Sequence, residues 1–353
     1  MTLDSDHSSP PGQNSDHAQG NFAGDASLMT HVNRRAMATE FAVILPAHLA
    51  DAVELVVETL EQLDAIESAL TIYREDSEVS RANLVAADEP AELSKETFAL
   101  LQKAIVWSER TGGAFDVTAG PLVEAWGFTR RSGRKPTTEE IDAALALVGY
   151  QQITLSVPQQ TVRFAKSGMS INLGAIGKGD ALDRLAGQLR SRGLTDFLIH
   201  GGNSSVIAAG SQTLGSEMGW AVGLAHPTKP KRRLGGLWLR DTALATSGSG
   251  KQFFHHRGRR YGHVIDPRTG YPAGDLLSLT VLMESAADAD ACATGLFVAG
   301  SDAIAGMTTE AWFPPMISVR QGDRQDAVAV QSSGDVPWVD DSSDEVSRNE
   351  SAD

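Results

Sequence analysis

Apolar residues recur at three- and four-residue spacing in several stretches of this chain, which is the spacing of one face of an α-helix. The longest stretch runs from Leu49 to about Tyr73 and predicts a long amphipathic helix. A second helix is expected from about Ser94 to Thr111, where two glycines follow and end it. A third runs from Thr137 to Val148, because Thr137 and Glu140 form a capping-box pattern. The polar segment Arg74–Arg81 is predicted to be a loop.

Shorter apolar segments bounded by Gly, Pro and polar residues indicate β-strands elsewhere in the chain. The predicted strands are Glu40–Leu45, Ile153–Val157, Thr161–Ala165, Ser170–Leu173, Phe197–His200, Val206–Ala209, Gly219–Ala225, Gly236–Arg240 and Leu276–Met283. Two more helices are expected, one from the turn at Gly174–Gly179 to about Arg192 and one from about Ala287 to Ala299. Because helices and strands are interleaved without regular βαβ alternation, the pattern predicts an α+β fold with a mainly antiparallel β core flanked by helices.

The two ends of the chain have a different composition from the centre. Residues 1–33 contain four Asp and no Lys or Arg, and residues 332–353 contain seven acidic residues and one Arg. Both ends are rich in Ser and Asp and have too few apolar side chains to form a core. The prediction is a disordered tail over residues 1–33, one large domain over residues 34–331 and a disordered acidic tail over residues 332–353.

Composition excludes several functional classes. The net charge of −15 argues against generic nucleic-acid binding, which depends on neutralising phosphates. No apolar run reaches membrane-spanning length, so no membrane anchor is expected. The first 33 residues lack the basic and apolar regions of a secretion signal. The single cysteine, Cys292, excludes an internal disulfide and a cysteine-based zinc cluster. These features predict a cytoplasmic protein.

Chemically versatile side chains cluster in the segment His263–Pro272. It combines an imidazole, a carboxylate, a guanidinium and a hydroxyl in a stretch containing Pro267, Gly270 and Pro272. Proline fixes the backbone φ angle and glycine permits a tight reversal, so the segment reads as a turn and not as a core strand. By itself, the segment is either an ordinary polar hairpin or a turn that presents His263 to a site.

A glycine-rich turn, Gly174–Gly179, contains Lys178 and opens a predicted helix. Helix N-termini bind phosphate through unpaired N–H groups and the positive end of the dipole. The spacing matches neither a Walker A loop nor a dinucleotide-binding fingerprint. A phosphate cradle and a simple strand-to-helix turn therefore both remain open.

Asp290 and Thr294 lie four residues apart in a predicted helix otherwise rich in Ala, Leu and Phe. This spacing places a carboxylate and a hydroxyl on one helix face, a pairing that suits Mg²⁺. The alternative is a partly exposed Asp beside a Thr that bonds back to its own helix.

Taken in order, these segments resemble the FAD:protein FMN transferase family, the ApbE-type flavin transferases. The resemblance extends from about Met37 to Gly300. The matching segments are Met37–Thr39, Tyr73 with Asp76–Asn83, Gly113–Thr118, Gly120–Leu122, Trp126–Phe128, Asn172–Gly179, Asp183, Gly201–Asn203, Thr246–Gly248, His263–Pro272 and Ala289–Thr294. Each match by itself is weak evidence, but the complete set in this order is specific for the family.

The resemblance implies a Mg²⁺-dependent enzyme that cleaves FAD, passes FMN to a Ser or Thr hydroxyl of an acceptor protein and releases AMP. It implies that the metal is held by the side chains of Asp290 and Thr294 and the carbonyl of Ala175. Lys178 would lie along the FAD phosphates, and His263 is the candidate base; the expected catalytic set is His263, Lys178 and Asp290. The residues expected to bind FAD are Met37, Tyr73, Ala114, Phe115, Asp116, Asn172, Lys178 and Val264.

This chain departs from the family pattern at several points. The usual Asp-Leu-Gly-Gly reads Asn172-Leu173-Gly174-Ala175, which keeps an acceptor oxygen and loses a charge that contacts the nucleotide. Many members are exported lipoproteins with an N-terminal lipid-bearing Cys, and this sequence shows neither the signal nor that Cys.

Two alternatives stay open, a Mg²⁺-dependent FAD pyrophosphatase and a non-catalytic FAD-binding protein. The presence of His263, Asp290 and Thr294 argues against the second, because FAD storage needs neither a base nor a metal.

Overall fold

The computed structural model of the chain describes residues 29–130, 132–248, 250, 253–324 and 327–339. Its helices are α1 (Val53–Leu70), α2 (Glu78–Val85), α3 (Lys95–Arg110), α4 (Gly120–Ala125), α5 (Thr138–Leu145), α6 (Gly177–Ser191) and α7 (Ala286–Met307). Its strands are β1 (Thr30–Ala36), β2 (Thr39–Leu45), β3 (Ala91–Glu92), β4 (Ile153–Ser156), β5 (Thr161–Phe164), β6 (Phe197–Gly201), β7 (Ser205–Ala209), β8 (Trp220–Ala225), β9 (Arg233–Leu239), β10 (Thr242–Gly248), β11 (Phe253–His256), β12 (Arg259–Gly262), β13 (Ser278–Met283), β14 (Met316–Gln321) and β15 (Val328–Ser333).

The main sheet has eight strands in the order β1-β2-β6-β7-β10-β13-β14-β15, and every neighbouring pair is antiparallel. The predicted α+β fold with a mainly antiparallel core is therefore confirmed. Three small sheets, β3-β5-β4, β8-β9 and β11-β12, lie outside the main one.

Side-chain alternation along the strands divides the core into two layers. In β6, Phe197 and Ile199 point to the larger core, which the sheet forms with α1, α3, α6 and α7. Leu198 lies on the opposite face, where it packs with Trp220 and Leu237 of the β8–β9 hairpin. The eight-stranded sheet is thus covered by helices on one face and by a hairpin on the other.

A third apolar cluster joins α4 and α5 to β12 and to the segment that follows it. Trp126, Tyr261 and Ile265 are buried in this cluster, and Phe254 packs against it. It supports the segment containing His263 from outside the main sheet.

Several sequence predictions need correction. The predicted strand Ser170–Leu173 does not form, because the side chain of Asn83 takes the place of a neighbouring strand. Its Oδ1 accepts from the N–H of Ile171 at 2.8 Å, and its Nδ2 donates to the Ile171 carbonyl at 2.9 Å. The predicted loop Arg74–Arg81 contains the start of α2, since the Ser77 hydroxyl accepts from the Ser80 N–H and caps that helix.

Strand residues lie on both sides of the predicted domain, residues 34–331. Strand β1 already begins at Thr30, and residues 332 and 333 complete β15. Beyond that strand, Trp338 forms a β-bridge with Leu237, so the chain contacts the second face of the sheet up to that point. The remainder of both predicted tails, residues 1–28 and 340–353, lies outside the described residues.

The predicted end of the last helix near Ala299 coincides with a break in α7 at Gly300, where φ is +82°. A further helical segment follows the break and extends to Met307. None of the helices in the described ranges combines the length and the apolar character needed to cross a membrane.

Candidate active site

A cleft of about 1710 Å³ contains all of the predicted site residues. Its walls include Met37, Tyr73, Ala114, Phe115, Asp116, Asn172, Ala175, Lys178, His263, Val264, Asp290 and Thr294. These residues come from six separate parts of the sequence, and the fold brings them to one place. The volume exceeds the roughly 300–1,000 Å³ of an ordinary ligand pocket, so the cleft has room for a large ligand and part of a second one.

The N-termini of α6 and α7 cap one another at this cleft. The backbone N–H of Gly179, in the first turn of α6, donates to Asp290 of α7 at 2.8 Å. In return, Asp183 of α6 accepts from the N–H groups of Ala286 and Ala287 at 2.8 and 3.0 Å. These donors belong to the set that a helix leaves without internal partners. The two positive helix ends therefore meet here, and each is capped by a carboxylate from the other helix.

A glycine is required at position 179 because the helices approach so closely. A β-carbon there would lie 2.1 Å from the carbonyl oxygen of Ala286, a backbone atom that cannot move independently of its helix. Helix packing therefore explains the glycine at position 179, and this packing places the neighbouring Lys178 beside α7. We refer to Lys178, Gly179, Asp183 and Asp290 as the α6–α7 corner.

Asp290 is a buried carboxylate, 6% exposed, with three polar neighbours. Oδ1 accepts from the Ser205 hydroxyl at 2.6 Å, Oδ2 accepts from Gly179, and the Lys178 Nζ lies 3.8 Å from Oδ2. Burial raises the pKa of the Asp290 carboxyl, and the charge of Lys178 and the two hydrogen bonds oppose that rise. A second cation beside Asp290 would favour its ionised form.

The donor set around Asp290 fits a hard cation. No group of three or more His, Cys, Asp or Glu side chains arranged for a metal is found within the described ranges. Asp290 supplies one carboxylate, Thr294 supplies a hydroxyl one helical turn further along α7, and Ala175 lines the same cleft. The Thr294 side chain makes no hydrogen bond to the described part of the protein, which leaves its oxygen available. Mg²⁺ is characteristically bound through one or two carboxylates, with water and substrate phosphates completing the set.

The segment from His263 to Ala273, called here the His263 turn, folds back on itself. Ile265 and Pro272 form a β-bridge, and the Ala273 N–H donates to the Val264 carbonyl at 2.9 Å. Gly270, with φ +77°, closes the reversal, and its carbonyl accepts from the Trp126 indole at 2.8 Å. The turn is thereby fixed to the third apolar cluster.

The carboxylate of Asp266 is engaged within this turn. It accepts from the backbone N–H and the Nε of Arg268 at 2.9 Å each, and from the same guanidinium's Nη2 at 2.9 Å. Asp266 thus caps the turn and pairs with Arg268. The ring of His263 faces the edge of Phe128 at 6.4 Å between centroids.

Asp116 and Asn172 shape the cleft wall through their own hydrogen bonds. Asp116 accepts from the N–H and hydroxyl of Thr118 and from the N–H of Tyr150, at 2.6–2.9 Å. Burial nonetheless raises the pKa of its carboxyl. The Asn172 Oδ1 accepts from Gly174 at 2.9 Å, so its amide group remains as a donor beside the glycine-rich turn. An aspartate here would keep the turn and lose that donor.

Met37 and Ala38 form the two-residue turn between β1 and β2. Both are in the left-handed region, with φ of +50° and +58°, which is strained for residues other than Gly, Asn and Asp. The Met37 N–H donates to Glu67 at 2.8 Å, which anchors this turn to α1 at the cleft wall.

Sequence reasoning did not identify Ser205, and it named Asp183 as a matching residue without its capping role. Ser205 is a polar residue in an otherwise apolar strand, a usable signal, whereas the capping role of Asp183 has no local signature. His200 lines the cleft, and its Nδ1 is buried without a hydrogen-bond partner in the described residues. Burial lowers the pKa of this imidazole, so it is neutral at pH 7.

Comparison with known proteins agrees with this architecture. The sequence profile of the ApbE family matches residues 37–312. The FAD:protein FMN transferase of Vibrio cholerae serotype O1 is 31% identical over 299 residues, which are 83% of this chain and 88% of the relative. The FAD:protein FMN transferase of Escherichia coli K12 is 30% identical over 285 residues, which are 78% of this chain and 80% of the relative.

Solved structures show the same relationship. The ApbE protein of Thermotoga maritima superposes with a TM-score of 0.75 at 30% identity, covering 83% of this chain and 94% of that one. The flavin transferase ApbE of Vibrio cholerae superposes with a TM-score of 0.74 at 31% identity, covering 86% of this chain and 97% of that one. The family resemblance predicted from the sequence motifs is confirmed, and this chain belongs to the ApbE family.

Proposed function

We propose that this protein is an FAD:protein FMN transferase, which attaches FMN through a phosphoester to a Ser or Thr hydroxyl of an acceptor protein and releases AMP. The observation that carries the proposal is the meeting of Lys178, Asp290 and His263 in one large cleft. Relatives of about 30% identity over most of their length bear that activity in their names. The FAD substrate and the protein acceptor are the partners that this activity requires.

In the proposed site, Asp290, Thr294 and the Ala175 carbonyl hold Mg²⁺. Bound there, the metal would offset negative charge on the FAD phosphates. Lys178 contributes a second positive charge beside Asp290. Met37, Tyr73, Ala114, Phe115, Asp116, Asn172 and Val264 would line the remainder of the FAD site.

His263 is the proposed base for transfer. It accepts the proton of the acceptor hydroxyl as that oxygen forms a bond to the phosphorus of the FMN half. The bond between this phosphorus and the bridging oxygen breaks, and the oxygen leaves with AMP. Negative charge grows on AMP as the bond breaks, and Lys178 is placed to stabilise it. With water in place of the hydroxyl, the same steps hydrolyse FAD to FMN and AMP.

Mass spectrometry of the acceptor distinguishes the alternatives. The protein is incubated with FAD, MgCl₂ and a candidate acceptor that carries a Ser/Thr-Gly-Ala-Thr-like segment. We expect a gain equal to one FMN group and an equimolar amount of AMP. FMN and AMP without an adduct would identify an FAD pyrophosphatase, and intact FAD would identify a non-catalytic binding protein.

We propose the cytoplasm as the site of action. The only cysteine, Cys292, is fully buried in α7, and burial raises the pKa of its thiol. A buried unpaired thiol is compatible with a reducing compartment. Fractionation of the native host with the full-length chain tests this location.

A further inference from the structure

The β11–β12 hairpin is a basic feature on an acidic protein. Arg257, Arg259 and Arg260 are exposed, and no Asp or Glu occurs between Phe253 and Gly262. The whole chain has a net charge of −15. We call the three arginines the basic tip.

The conformation of the basic tip is not the one that its residues favour. His256 pairs with Arg259, so Arg257 and Gly258 form a two-residue loop with φ of +50° and +78°. Loops of this type favour Asn or Gly at the first position, because other side chains are strained in the left-handed region. An arginine kept in a strained position is an indication that its side chain has a function.

Aromatic rings support the other two arginines. The Arg259 guanidinium lies 5.4 Å from the centroid of the Tyr261 ring, and that of Arg260 lies 4.0 Å from Phe253. Phe253 is itself 43% exposed. The hairpin therefore presents positive charge next to apolar surface, which is a composition typical of protein-binding sites.

The hairpin is joined to the His263 turn in sequence and in space. Strand β12 ends at Gly262, directly before His263. Phe254 stacks on Tyr261 with 5.4 Å between ring centroids, and Phe128 contacts both Phe254 and His263, at 5.7 and 6.4 Å. The base of the hairpin is therefore close to His263, and the basic tip precedes His263 by three to six residues of the chain.

The three arginines do not line the cleft, unlike Lys178 and His263. All three are exposed to solvent. Their charge is therefore better placed to attract a molecule approaching from solvent than to hold the phosphates of FAD inside.

We propose that the basic tip is the docking surface for the acceptor protein and binds an acidic segment next to the acceptor Ser or Thr. This inference rests on the proposed transferase function, and it adds that the acceptor protein carries negative charge next to the modified residue. Complementary charges at the rim of an interface raise the rate of association and select between partners.

A peptide-binding measurement tests this inference without any chemical step. The probe is a fluorescein-labelled synthetic peptide with one Thr and four flanking Asp, and the reference peptide has Asn in place of each Asp. Fluorescence anisotropy with the full-length protein should show about tenfold tighter binding of the acidic peptide, as expected for three exposed ion pairs. High salt should remove the difference.

Charge-reversed variants locate the binding surface. The triple variant Arg257→Glu, Arg259→Glu, Arg260→Glu should lose the preference for the acidic peptide. The matched control Lys95→Glu, Arg192→Glu, Arg320→Glu changes three other exposed residues by the same total charge and should keep it. Arg257→Asn relieves the strained loop, so it leaves the fold intact and should weaken acidic-peptide binding about two- to threefold.

Several results would overturn the proposal. One is equal binding of both peptides to the unmodified protein, and another is an unchanged preference in the triple variant. A third concerns the acidic C-terminal segment of this chain. If the variant Asp340→Asn, Asp341→Asn, Asp344→Asn, Glu345→Gln binds the acidic peptide more tightly, that segment and not the acceptor occupies the basic tip.

FAD cleavage without an acceptor separates this inference from the proposed function. The triple variant and the control should cleave FAD at equal rates. Loss of cleavage in every protein, the unmodified one included, would instead contradict the proposed function.

Discussion

The α6–α7 corner and the His263 turn line the same cleft and are built in opposite ways. Asp290 is held by hydrogen bonds to Gly179 and Ser205, which are 111 and 85 residues away in sequence. In the His263 turn, Asp266 and Arg268 pair across two residues. The α6–α7 corner lies between two packed helices. The His263 turn lies outside the main sheet and packs on the third apolar cluster.

This difference suggests a division of labour. A group that stabilises charge must not move as charge develops, and packing between two helices provides that rigidity. A proton acceptor must meet a second substrate that arrives from solvent, so a turn at the edge of the fold is a suitable place for it. The variants below are chosen to separate the two regions.

The largest effect is expected for His263→Ala. Loss of a general base typically lowers the rate about 10²–10⁴-fold, so FMN transfer should fall by that factor. The affinity for FAD, followed by flavin fluorescence, should stay unchanged, because the corner is intact. His48→Ala is an exposed control. Equal loss of FAD affinity and transfer would mean that His263 only lines the pocket.

Lys178→Met tests the charge of the corner. Removal of one preorganised charge at a reacting phosphate should lower the rate of FAD cleavage about 10²–10³-fold, with or without an acceptor. Lys95→Met, at the exposed start of α3, is the matched control and should retain full activity. Single-turnover release of AMP measures both. A variant that cleaves FAD normally but transfers poorly would place Lys178 with the acceptor instead.

Asp183→Ala should loosen the corner without touching a ligand. The N-terminal N–H groups of α7 lose their acceptor, so the free energy of unfolding should fall by about 1 kcal/mol. The control Asp142→Ala removes an exposed carboxylate from α5 and should change stability much less. Urea denaturation gives both values. An unchanged midpoint would show that the reciprocal capping does not hold the two helices together.

Of the two changes in stability, that of Asp290→Asn in the absence of metal and FAD should be the smaller, and it should depend on pH. Because burial raises the pKa of Asp290 in the folded state, the folded protein binds the extra proton and is destabilised as pH rises from the unfolded pKa, about 3.9, through the raised value. The Asn variant lacks this loss. Its melting temperature, relative to that of the unmodified protein in EDTA without FAD, should therefore increase with pH. A pH-independent difference would contradict the direction of the shift.

Local features of the site could be predicted from the sequence, and long-range ones could not. The spacing of Asp290 and Thr294 placed both on one helix face, and the prolines and glycine of the His263 turn indicated a reversal. The contact between Gly179 and Ala286, however, arises from helix packing that no short pattern encodes. The absent strand at residues 170–173 has a similar cause, since the side chain of Asn83 supplies its hydrogen bonds from 88 residues away.

The Mg²⁺ dependence of FAD cleavage tests the division of labour most directly. Single-turnover AMP release is measured over a range of MgCl₂ concentrations for the unmodified protein, Asp290→Asn and His263→Ala. The account predicts that Asp290→Asn raises the Mg²⁺ concentration for half-maximal rate by about 10–100-fold, the usual cost of weakening a metal site. His263→Ala should lower the maximal rate and leave that concentration unchanged. The account would be contradicted if His263→Ala changed the Mg²⁺ concentration for half-maximal rate and Asp290→Asn left that concentration unchanged.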